Sequence, residues 1–132
     1  MNDVNDNFNI SKIESFLYGL LYNGLTHNTY VGTLPDTIKD GWQEMCLVDS
    51  GSSIVDEDAR GRGSVLVILY ARPNADGSKN VAKMSQLETT LNEIIRNAPS
   101  SDYRIYRNAT YADYDTKRNW HCNIVELGII IS

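Results

Sequence analysis

Three short stretches of this chain hold residues of the types that do chemistry. The sharpest is Leu47-Val-Asp-Ser-Gly-Ser-Ser53, in which a carboxylate, Asp49, follows an apolar pair and precedes Ser50 and Gly51. Such a carboxylate works as an acid–base group when a second is held within about 3 Å, because like charges that close cannot both ionise and share one proton. The chain carries one copy, so this chemistry would need two chains. Asp, Ser and Gly are also the residues a tight turn after a strand prefers, and the segment reads as a turn. The second stretch is Arg60-Gly-Arg-Gly-Ser64. Gly-rich backbone amides cradle a phosphate when they open a helix, but an apolar β-run follows here, so the stretch reads as a hairpin loop. The third is Tyr103-Arg-Ile-Tyr-Arg107 with Tyr111, Tyr114, Lys117, Arg118 and Trp120. Aromatic and basic residues interleaved are the ingredients of a single-strand nucleic-acid platform. Asp102, Asp113 and Asp115 neutralise it, and tyrosine-rich segments serve equally in protein contacts.

Nothing else in the chain assembles a catalytic or metal set. The two cysteines, Cys46 and Cys122, each lie in an apolar stretch and read as buried free thiols. His121 and Cys122 are neighbours on an expected strand, so they point to opposite faces and share no ion. His27 stands alone in a loop. No cofactor or metal is expected, and the chain does not read as an enzyme. Twelve Lys+Arg against 17 Asp+Glu give a net charge of -5, which excludes a fold-wide basic surface for gripping DNA. With 132 residues, 42% hydrophobic and 22% charged, the composition is that of one globular domain without a membrane helix. The polar start, Met1 to Phe8, does not resemble a signal peptide, so the expectation is an intracellular, unsecreted protein.

The elements that must position these residues follow from periodicity. A flexible N-terminus is expected over 1–9 and a single α+β domain over 10–132. Asn9 or Ser11 caps a helix whose apolar residues are Ile10, Ile13, Phe16, Leu17, Leu20, Leu21 and Leu25, ending near Gly24. A loop with a short strand at Tyr30-Val31 leads to a strand over 42–48. After the turn come Ile54-Val55 and a charged loop over 56–63. The run 64–72 is apolar on both faces, so it belongs inside a sheet with a helix on one side and another cover, for which a neighbouring subunit is one candidate, on the other. A second helix carries Val81, Met84, Leu87, Leu91, Ile94, Ile95 and Ala98 on one side and stops at Pro99. A strand over 103–107, a polar loop over 111–119 and a long strand over 120–131 close the chain. In that last strand Val125, Leu127, Ile129 and Ile131 share one face, while Cys122, Ile124 and Ile130 line the other with Glu126 and Gly128 between them. The fold class expected is α+β, a mostly antiparallel four-stranded sheet with the helices packed on one face.

Three families are resembled. Residues 47–53 resemble the active-site signature of aspartic proteases, which implies a retroviral-type homodimer using Asp49-Ser50-Gly51. That family is nearly all β, whereas two long helices flank the motif here, and its second element is matched only loosely by Glu126-Leu-Gly128. Residues 60–64 resemble the pyrophosphate loop of acetyltransferases in glycine content alone. The element order, together with Trp42-Gln-Glu-Met-Cys-Leu-Val48, Ser64-Val-Leu-Val-Ile-Leu-Tyr-Ala-Arg72, Leu87-Glu-Thr-Thr-Leu91 and Trp120-His-Cys-Asn-Ile-Val-Glu-Leu-Gly-Ile-Ile-Ile131, resembles phage and prophage tail terminator (tail completion, head–tail joining) proteins over about 10–131. This resemblance implies a structural virion component without catalysis, self-associated into a ring, often a hexamer. The ring would bind tail tube and head–tail connector proteins, meet DNA only in passing and touch no membrane. It would be assembled in the host cytoplasm. The oligomer and lumen contacts expected on this reading are Asp56, Glu57, Asp58, Arg60, Arg62, Tyr111 and Tyr114. An acidic tip would repel passing DNA, although Arg60 and Arg62 sit beside it.

Overall fold

The computed structural model describes residues 9–50, 54–57, 60–98, 100 and 102–131, with backbone alone for 54–57 and 60. Helix α1 (Ile10–Gly24) starts at Asn9, whose side chain accepts from the Lys12 N–H at 3.1 Å. Of the two candidate caps it is therefore Asn9, which belongs to the helix and not to a flexible tail. Ile13, Leu17 and Leu21, one turn apart, are the residues α1 buries. Strands β1 (Thr29–Val31), β2 (Glu44–Asp49), β3 (Ile54–Glu57) and β4 (Arg60–Ala71) follow. Helix α2 (Val81–Arg96) is capped by Asn80, which accepts from the Lys83 N–H at 3.0 Å, and buries Met84, Leu87 and Leu91. Val81 lies at its first turn and is 66% exposed, so it does not join that apolar side. Strands β5 (Tyr103–Asp115) and β6 (Trp120–Ile131) end the chain.

The sheet has six strands rather than four. Five run in the order β1-β2-β4-β6-β5, and β3 pairs with β4 beyond β2. β1 is parallel to β2 and every other pairing is antiparallel. The α+β class holds, with a mixed sheet. Two expected loops are strands. Residues 56–57 belong to β3 and 60–63 to β4, with Glu57 opposite Arg60 and Asp56 opposite Gly61. Residues 111–115 belong to β5, which pairs with β6 from Tyr103↔Ile131 to Asp115↔Trp120. Polarity misled in both places. β5 is an edge strand exposed along most of its length, and an irregularity between Arg107 and Ala109 shifts its alternation midway.

The helices cover one face of the sheet. Their buried leucines, Ile13 and Met84 pack on Cys46, Val48, Val65, Val67, Leu69, Val125, Leu127, Ile129 and Ile131. At about 25 cal/mol per Å² of apolar surface removed from water, this cluster is the main source of stability. A second, smaller cluster lies on the opposite face at one end: Leu34, Met45, Leu47, Tyr70, Trp120 and Cys122, with Tyr30, Ile38 and Trp42 packed against it. The connection between β1 and β2 is held over that end by Arg72. Its Nε donates to the Trp42 carbonyl at 2.6 Å, Nη2 donates to that of Lys39 at 3.0 Å, and the guanidinium lies 4.9 Å from the Trp120 ring.

Candidate oligomer interface

The remainder of the face opposite the helices has no layer over it among the described residues. Directly paired residues of neighbouring strands share a face, so the register orders this surface into rows across the sheet. Leu47, Ile68, Ile124 and Tyr111 form an apolar row beside the covered end. Next come Asp49, Leu66, Glu126 and Ala109, then Ser64, Gly128 and Tyr106, and last Arg62, Ile130 and Arg104. An acidic row and a basic row thus lie about 13 Å apart, taking ~3.3 Å per residue. Leu66, Ile68, Ile124 and Ile130 are half-buried, whereas Tyr106 and Tyr111 are 44% and 49% exposed.

Tyr106 is held in this surface by a glycine. A Cβ on Gly128 would fall 2.2 Å from the tyrosine ring, so the ring lies across β6 only because residue 128 has no side chain. Beside it the Asn108 amide donates to the Glu126 carboxylate at 2.6 Å. On the helix side of the same irregularity, Arg107 donates to Glu88 at 2.8 Å and to Asn92 at 2.6 Å, which ties β5 to α2. β5 ends in a turn organised by Asp115, which accepts from the Lys117 and Arg118 N–H groups at 3.0 and 3.1 Å. Burial acts to raise the Asp115 carboxyl, but those bonds and the Arg118 guanidinium outweigh it and hold the group below its ordinary value.

The expected site residues divide. Tyr111 lies on the open face. Tyr114 lies on the helix side, edge-on to His121 with centroids 4.8 Å apart, so the fold does not bring the two tyrosines together. Arg62 is exposed at the end of the open face, where β4 runs between β3 and β6. Asp56, Glu57 and Arg60 belong to the hairpin by their backbone, and Asp58 lies outside the described residues. Arg60 to Ser64 is strand, so its amides are directed along the sheet ladders and not gathered at a helix start. Asp49 ends β2 opposite Leu66, and the Ser50 hydroxyl donates to the Glu14 carboxylate of α1; Gly51 to Ser53 lie outside the described residues. His121 accordingly faces the helix side, while Cys122 belongs to the cluster on the other face.

Sequence reasoning found Ile124 and Ile130 by alternation, with Glu126 and Gly128 between them, and singled out Arg104 and Tyr106 within the aromatic and basic stretch, but it missed the grouping of these residues into rows on one face. The rows depend on the register, which the sequence encodes only through long-range pairing. Both thiols are buried. Burial pushes Cys46 up to about 12. Burial, helped by Asp113 and Asp115, pushes Cys122 up to about 11, so neither is a nucleophile at neutral pH. Among the described residues no group of three His, Cys, Asp or Glu is placed to hold a metal ion, and no helix is long and apolar enough to cross a membrane. No protein-family model matches the chain, and no curated protein matches it.

Proposed function

We propose that this chain is a structural subunit of a phage or prophage tail, a terminator or head–tail connector that self-associates into a ring. The observation that carries the proposal is the open sheet face. Half-buried Leu66 and Ile68 of β4 and Ile124 and Ile130 of β6 lie beside exposed Tyr106 and Tyr111 of the edge strand β5, with charged residues in two of the rows. Aliphatic and exposed aromatic side chains gathered on one uncovered sheet face are features of surfaces that become buried on association. Among the described residues no strand pairs with the outer edge of β5, whose backbone groups a contact can use. The mechanism is assembly, with no covalent step. Each subunit buries this surface against a neighbour or against the tube, and the acidic balance of the chain keeps passing DNA from adhering. The virion is where such a ring would reside.

Negative-stain imaging of the purified protein, at concentrations where light scattering reports a large species, tests this reading. Closed rings of uniform size support it. A particle that remains a monomer or dimer, both alone and with tail tubes, contradicts it.

A further inference from the structure

We infer that the groove between α1 and the edge strand β1 is a second binding site, one that takes an extended segment of another protein bearing a lysine or arginine. This inference is independent of the ring. The groove has a volume of about 520 Å³ and lies between Glu14 and Tyr18 of α1, His27, and Thr29 and Val31 of β1. β1 is the outermost strand of the sheet. Its bonds to β2 alternate along the chain. The Asn28 carbonyl accepts from the Cys46 N–H at 2.9 Å, and the Gly32 N–H donates to the Val48 carbonyl at 2.9 Å. In a parallel pair the backbone groups of alternate residues point to opposite sides, so those of Thr29 and Val31 point away from β2; Thr29 is 3% exposed, which leaves the N–H and C=O of Val31 as the pair open to the groove. An extended peptide laid there would gain main-chain hydrogen bonds as an added strand, with α1 as the opposite wall.

The charge of the walls selects the side chain. Among the described residues lining the groove, Glu14 alone carries a formal charge, and one of its oxygens accepts from Ser50. A carboxylate has further lone pairs to offer. Tyr18 is 36% exposed beside it and presents an aromatic ring, the second group that favours a cation. Val31, 39% exposed, gives an apolar contact for a neighbouring residue of the peptide.

The test is titration of the isotope-labelled protein with the capped peptide Thr-Val-Arg-Val-Thr, and with the same peptide carrying Glu in place of Arg. Shifts centred on the Val31 amide and its neighbours in β1 are expected, with the Glu peptide about tenfold weaker, as for the loss of one charge pair. Val31→Pro removes only an outward N–H, which an edge strand tolerates, and should abolish binding with the fold intact. Glu14→Gln should weaken the Arg peptide and, with a like charge removed, leave the Glu peptide bound no more weakly than before, so that the difference between the two peptides narrows. Equal binding of the two peptides, or full binding by Val31→Pro, overturns the inference. So does the absence of shifts at β1, or their appearance on concentrating the protein alone, which would mean that a second copy fills the groove.

Discussion

Tyr106 lies across Gly128, with its ring atoms 2.2 to 2.5 Å from where a Cβ would stand. The nearest atoms are the far end of an exposed side chain, which can swing aside at modest cost. Gly128→Ala is therefore expected to lower stability by less than about 1.5 kcal/mol. It should weaken self-association as much as Tyr106→Ala does. Thermal melts and sedimentation of the two variants side by side check this. Unchanged association in both would remove Tyr106 from the interface.

Asp49 separates assembly from proteolysis. On the structural reading neither the native chain nor Asp49→Asn cleaves peptides at acidic pH. Cleavage by the native chain that disappears in Asp49→Asn would establish the homodimeric protease instead.

The buried thiols set an alkaline limit. Cys46 and Cys122 are raised from 9.0 to about 12 and about 11, so the unfolded chain loses these protons before the folded one does. Their contribution is fully present below about pH 9 and falls as pH rises through that window, by up to ~1.4 kcal/mol per pH unit for each thiol. Urea unfolding between pH 8 and 10.5, on the order of the window given by the linkage relation, should show that decline. A variant with Cys46→Ala and Cys122→Ala should be less stable throughout, because cavities cost stability, but with a shallower slope. An identical slope would contradict the assignment.

Much of the architecture is written in local patterns. The spacing of Ile13, Leu17 and Leu21, and of Met84, Leu87 and Leu91, marks both helices, and the alternation over 120–131 marks β6 with its correct faces. What was not legible depends on pairing at a distance. β5 reads as polar loop after Arg107 because an exposed edge strand needs no apolar alternation, and because the shift at Arg107/Ala109 breaks what alternation there is. The strand residues at 56–57 and 60–63 read as a charged loop for the same reason. They are held by the register of β3, β4 and β6, not by their own propensity. Tyr111 and Tyr114 are both expected among the oligomer contacts, yet an odd separation within a strand sends them to opposite faces. The groove beside β1 left no signal, since its walls come from α1 and a three-residue strand joined by a loop.

The central claim is that the open face mediates self-association, and the most direct test is particle mass by light scattering across a concentration series, native against Ile124→Glu. Ile124 is half-buried in the apolar row between Ile68 and Tyr111, so a carboxylate there leaves the helix-side core untouched but must be desolvated in any contact. The native chain is expected to form a large species of defined mass and the variant to remain monomeric with an unchanged circular dichroism spectrum. Equal masses for both chains at every concentration would contradict the claim.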